Sequence, residues 1–196
     1  MSEYFNKYGL MRMHKDIEVE NGILFTAYHS LWGGKDAANY FKAINSCRDI
    51  SSGHFGANPP DKPTRFSHDN MKGLYYLCFR YDKTMLKTLP TFRWNGKFNI
   101  HPNTWMVLLA AKHLWAKVLF KPFIYFMIWY SYLFSPPSDT SGRNLWVLCD
   151  ALIGYNYSFD KNVVKESFQY YITNGWNWKN FDNPIYVLTL DGDVNV

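Results

Sequence analysis

The sequence predicts a mainly α protein: a single helical domain of antiparallel helix pairs with long loops and at most a short β element. Three observations lead there. Apolar residues recur at three- and four-residue spacing in several windows, and glycine- and proline-rich stretches separate those windows. β-type signals are confined to one Asn-Gly turn and one short β-branched run, Ile185 to Leu190, which fits one strand or a helical turn. With 196 residues and 47% hydrophobic content, residues 1–196 fit one domain with a sizeable core, which argues against disorder.

Taken in order, the first helix is expected from Asn21 to Trp32, where Ile23, Leu24, Ala27, Tyr28, Leu31 and Trp32 share helical spacing and Gly33-Gly34 supplies a stop. A second, from Lys35 to Arg48, places Ala37, Ala38, Tyr40, Phe41, Ile44 and Cys47 on one broad face and pairs with the first through a very short connection. Asp49 to Phe66 is too rich in Gly and Pro for a regular element. Ser67 then reads as the N-cap of a third helix, with Asp69 near its first-turn amides and Met71, Leu74, Tyr75, Leu77, Cys78 and Tyr81 as the apolar stripe.

A short helical piece follows at Thr84 to Leu89, and Asn95-Gly96 between aromatic residues suggests a small hairpin or an irregular loop. Pro102 opens the most hydrophobic region. Trp105 to Phe134 is expected to form the buried centre as two helical pieces hinged near Pro122, because proline removes a helical amide bond. Pro122 to Phe134 is uncharged but falls short of the roughly 20 residues a bilayer span needs, so a buried core helix is expected in place of a membrane span, with interfacial membrane binding as the lesser alternative. Further helices are expected at Arg143 to Ile153, stopped by Gly154, and at Asp160 to Thr173, ahead of the rings Trp176, Trp178 and Phe181.

Aromatic residues make up 19% of the chain (15 Tyr, 15 Phe, 8 Trp), so large rings must do much of the packing and some are available for binding. The net charge of +5 favours acidic partners weakly. The densest basic group, Arg80, Lys83, Lys87, Arg93 and Lys97, also holds Asp82 and reads as a solvated helix face with its loop; no nucleic-acid-binding motif accompanies it. Cys47, Cys78 and Cys149 are widely spaced in apolar surroundings and read as buried free thiols. The charged N-terminus has no apolar core of a secretory signal, which points to a reducing cytoplasm.

The segment most like a site is Gly53-His54-Phe55-Gly56 followed by Ser67-His68-Asp69-Asn70 at a helix start. Imidazoles transfer protons near neutral pH and free helix amides hold anions, so His68 and Asp69, joined by His101 before the next helix, form a candidate acid/base group. His54, Ser67 and Asn70 are its candidate ligand-binding residues. Helix capping and loop anchoring by hydrogen bonds explain the same residues without chemistry. The His and Asp ligands lack diagnostic metal spacing, so no metal is expected, and His29 and His113 read as satisfied helix histidines. Glu18 and Glu20 fit helix-dipole electrostatics, and Asp191-Gly192-Asp193 fits a turn better than a calcium loop. No phosphate loop, dinucleotide fingerprint or nucleophile elbow is present and no cofactor is expected.

The Glu20-Asn21-Gly22 helix start, Ser67-His68-Asp69-Asn70, and Ser141-Gly142-Arg143 after His101-Pro102 together resemble small helical proteins of tailed bacteriophages, over residues 18 to 155. That resemblance implies a virion- or tail-associated structural or interaction protein, in the host cytoplasm or incorporated into the virion, with other virion proteins or a host factor as partner. In architecture alone, helix pairs with His- and Asp-bearing loops resemble the α/α toroids of glycan hydrolases and lyases. That second likeness implies a carbohydrate-active enzyme using His68, Asp69 and His101 on a glycan or anionic ligand, although 196 residues are too few for a complete toroid. A third reading, an intracellular phage protein that binds a nucleotide or host-defence factor, fits the charge alone.

Overall fold

The computed structural model describes residues 5–11, 22–31, 35–47, 68–89, 93–94, 97–98, 102–134, 148–149 and 152–154. Within these the protein is mainly α. Six helices, α1 (Gly22–Leu31), α2 (Ala37–Ser46), α3 (His68–Tyr81), α4 (Lys83–Thr88), α5 (Pro102–Lys112) and α6 (Leu114–Phe134), contribute to one hydrophobic core. Leu148, Cys149, Leu152 and Ile153 enter the same core from a further helical stretch. Within the windows expected over 21–32 and 35–48 the described residues form α1 and α2, and α4 lies one residue ahead of the piece expected over 84–89.

The core is organised around α3. Every side chain from Asn70 to Cys78 is buried or, at Gly73, in close helix contact, so the expected single stripe is in fact apolar contact on all sides. Gly73 explains how α1 comes so near. A Cβ there would lie 2.8 Å from Leu24 Cα and 3.1 Å from the Ile23 carbonyl oxygen, so only glycine lets the two backbones approach this closely. On α2, Tyr40, Ala43, Ile44 and Cys47 are buried while Ala37, Ala38 and Phe41 are exposed, a narrower face than the spacing suggested.

Local chemistry sets the helix starts. Asp36 caps α2 by accepting from the Asn39 amide, and Asp82 caps α4 by accepting from the Met85 amide at 2.9 Å. Ahead of α1, residues 5–11 form a tight turn. Asn6 Oδ1 accepts from the amides of Tyr8 and Leu10, and Phe5 bridges to Met11. Thr26 holds this turn against α1 by accepting from the Met11 amide at 2.9 Å while donating to the Gly22 carbonyl at 2.7 Å. Gly9, at φ +77°, sits on α2 where a Cβ would collide with the Asn39 carbonyl oxygen.

The Asn-Gly expectation is met by β1 (Arg93–Trp94) and β2 (Lys97–Phe98), antiparallel with Arg93 opposite Phe98 and Trp94 opposite Lys97. Gly154, at φ +66°, closes the helical stretch that contains 152–153, as expected of a C-terminal stop. The helix expected over 160–173 and the aromatic segment beyond it lie outside the described residues, as do Glu18, Glu20 and Asp191 to Asp193.

The expectation for Trp105 to Phe134 needs correction on two points. The chain divides at His113, not at Pro122, and α6 runs unbroken through the proline. The Trp105 and Phe120 rings are 5.5 Å apart. A straight helix from 105 to 120 would separate their backbones by about 22 Å, so the chain must fold back between them. Pro122 is tolerated because it and Val118, whose carbonyl loses the amide partner, are both exposed and water can take the free oxygen. The second point is burial. α5 buries Met106 to Ala110, but among the described side chains α6 is covered mainly along one row with Met127 beside it, so the buried centre is α1 with α3.

Candidate functional site

Of the residues read as a site, His54, Ser67 and His101 lie outside the described residues. His68 and Asp69 are the first two residues of α3, described by their backbone alone. Asn70, one position further, is buried at 1% exposure, and Thr104 in the first turn of α5 is fully buried. The first turn of α3 thus lies against the core at Asn70.

Other histidines are placed as follows. His29 is buried on α1, and its Nδ1 shares a 2.5 Å hydrogen bond with Tyr40 Oη on α2. The Phe5 ring stands edge-on to the imidazole at 5.3 Å, Tyr81 lies 5.0 Å from Tyr40, and the Tyr81 hydroxyl shares a 2.7 Å bond with Ser30 Oγ. Burial holds the Tyr40 hydroxyl protonated well above its ordinary range, so it acts as a neutral hydrogen-bonding group. This cluster ties α1, α2 and α3 together. His113, expected as a partly buried helix residue, instead stands exposed at the α5–α6 junction with its ring stacked 6.0 Å from Trp115. The three cysteines are buried free thiols, as their surroundings suggested.

The feature that departs most from an ordinary surface is the outer side of α6. Large exposed apolar residues among the described ones are Phe41 and eleven residues of this helix, from Leu114 at 77% and Trp115 at 60% to Phe134 at 65%. Helical geometry explains the division. Ala116, Phe120, Ile124 and Ile128, spaced by four, face the core as one row. Leu114, Val118, Phe126, Tyr130 and Phe134 fall on a second such row, Trp115, Leu119 and Phe123 on a third that runs on to the partly buried Met127, and Tyr125, Trp129 and Leu133 on a fourth that begins with Lys117 and Lys121. Phe126 and Tyr130 rings are 6.1 Å apart and Tyr130 and Phe134 4.8 Å, so the exposed rings form a ladder.

On α6, charge enters this face at one margin. Between Asp82 and Asp139 the chain has no Asp or Glu but carries Lys83, Lys87, Arg93, Lys97, Lys112, Lys117 and Lys121. Lys117 and Lys121, next to the buried row, head the row that continues as exposed Tyr125, Trp129 and Leu133, and Lys117 Nζ lies beside Gly154 at a helix C-terminal end. Lys112 Nζ donates to the carbonyls of Lys87 and Leu89, which brings the end of α4 to the start of α6. Burial of that ammonium lowers its pKa.

The spacing signal for this surface was present in the sequence. A helix apolar around most of its circumference needs covering on most sides, and α5 covers one side of α6. No family model, curated protein or solved structure matches the chain.

Proposed function

We propose that the protein is a docking module whose working surface is the outer face of α6. The observation that carries this reading is the concentration of eleven exposed large apolar side chains on one helix. Ordinary surfaces scatter such residues singly, whereas contiguous apolar patches rimmed by charge mark interaction sites. Within the same proposal, the resemblance to tailed-phage proteins favours a virion or host component as the environment in which the module acts.

A photo-reactive benzoylphenylalanine at position 126, introduced into the full chain in the expressing cell, tests the reading. Illumination is expected to join the protein to another macromolecule or to lipid. Adducts formed exclusively within the same chain would show the face to be covered internally and would overturn the proposal.

A further inference from the structure

We infer that the outer face of α6 docks on an anionic lipid bilayer surface, with the helix lying in the plane of the interface. The inference rests on the docking reading and names its partner. Its first support is the length and composition of the face. The 21 residues of α6 extend about 31 Å, and its exposed apolar side chains run that length with charge only at Lys117 and Lys121, toward the N-terminal end of one edge. No helix among the described residues is long and apolar enough to cross a membrane, so a lipid contact by α6 is lateral. Trp115, Tyr125, Trp129 and Tyr130 supply rings with one polar atom each, the side-chain type that partitions to the boundary between headgroups and acyl chains.

The second support is the charge. An apolar face alone fits many partners, but this one is bordered by Lys117 and Lys121 and lies in a 56-residue stretch, 83 to 138, free of acidic residues. Exposed Lys83 and Lys87 are brought toward its N-terminal end through the Lys112 contacts. Apolar and aromatic residues on one helical face with lysines at its margin are what an anionic headgroup layer over hydrocarbon selects. A second copy of the chain is a poorer match, because its own α6 lies in the same stretch without acidic residues and offers Lys117 and Lys121 no opposite charge. Nucleic acid is poorer still: the centre of the face offers its phosphates no cation.

The test is co-flotation of the full chain with vesicles of phosphatidylglycerol and, separately, phosphatidylcholine. The expected result is flotation with the anionic vesicles that weakens as salt rises from about 0.05 M to about 0.5 M, where screening shortens the reach of the lysines. A W115Q/F126Q/W129Q variant should lose flotation. K117Q/K121Q, which leaves the apolar face intact, should bind anionic vesicles about tenfold more weakly. Circular dichroism and urea melts of each variant establish that it is folded. No flotation of the parent chain, equal binding to the two lipids, or an unaltered K117Q/K121Q would overturn the inference. Light scattering that shows a dimer abolished by the same face substitutions, without vesicle binding, would assign the surface to a second copy and overturn it as well. Crosslinking from position 126 to another protein with no flotation would remove the lipid and leave the docking reading standing, whereas purely internal crosslinks would remove both.

Discussion

Tyr40 on α2 and His29 on α1 share a buried 2.5 Å hydrogen bond that links the two helices at the side of α3. Tyr40→Phe keeps the ring contacts with Phe5 and Tyr81 but strips His29 Nδ1 of this partner. Leaving a buried polar atom without its bond costs about 1–3 kcal/mol. Urea melts should show a lower midpoint with an unaltered slope. An unchanged midpoint would mean that the two groups are solvated in the native protein.

Gly73→Ala sets two effects against each other. Alanine in a helix interior is favoured over glycine by about 1 kcal/mol. Against that stands a methyl group 2.8 Å from Leu24 Cα, a backbone atom that cannot rotate away. Overpacking of this kind costs about 1–3 kcal/mol, so the variant should be less stable than the parent and its α1 amides should exchange faster. A stabilised Gly73→Ala protein would show that α1 moves aside at little cost.

The buried thiols predict a loss of stability at alkaline pH. Burial pushes Cys47 from its ordinary 9.0 up to about 12, with a bond from Ser46 acting the other way, and burial raises Cys78 in the same direction. The unfolded chain therefore releases thiol protons first as pH rises past 9, and binds fewer protons than the folded chain up to about 12. The slope of stability against pH is then negative across that window and the contribution is complete below it. Denaturant midpoints measured from neutral pH upward should fall, less steeply in Cys47→Ala. Native protein at pH 8 should also resist a thiol reagent that labels the unfolded chain at once.

The two sides of α6 should differ in their stake in stability. Ile124→Ala removes a fully covered side chain from the core row and should cost about 2–5 kcal/mol. Leu119→Ala, on the solvent side, should shift stability by no more than about 0.5 kcal/mol. Thermal or urea melts of the pair decide it, and equal losses would mean that the outer face is packed.

Much of the helical plan was readable from spacing alone, because a local period of 3.6 and the turn-forming residues around it depend on nearby sequence. The α1 and α2 windows, the piece after Asp82, the hairpin around 95–96 and the Gly154 stop all follow from such local rules. The candidate acid/base residues were legible only as residue types near helix starts. Burial of Asn70 and the His29–Tyr40 bond join positions distant in sequence, and no spacing rule reports them.

What the sequence by itself determined is therefore where helices form and which residues are apolar; what the tertiary structure decided is which apolar rows are covered. α3 carries His68, Asp69, Asn70, Lys72 and Arg80 and is the more polar helix beside α6, yet it occupies the centre, since Gly73 lets α1 press against it while α5 and α2 close around it. α6 is left with one main row to bury, joined by Met127. The turn at His113 is of the same kind: proline weakens one helical bond at Pro122, but the contact of Trp105 with Phe120 and the burial of Ala116, Ile124 and Ile128 require the chain to reverse earlier. Local propensity acts over a few tenths to a few kcal/mol per residue, and burial of a row of large side chains outweighs it.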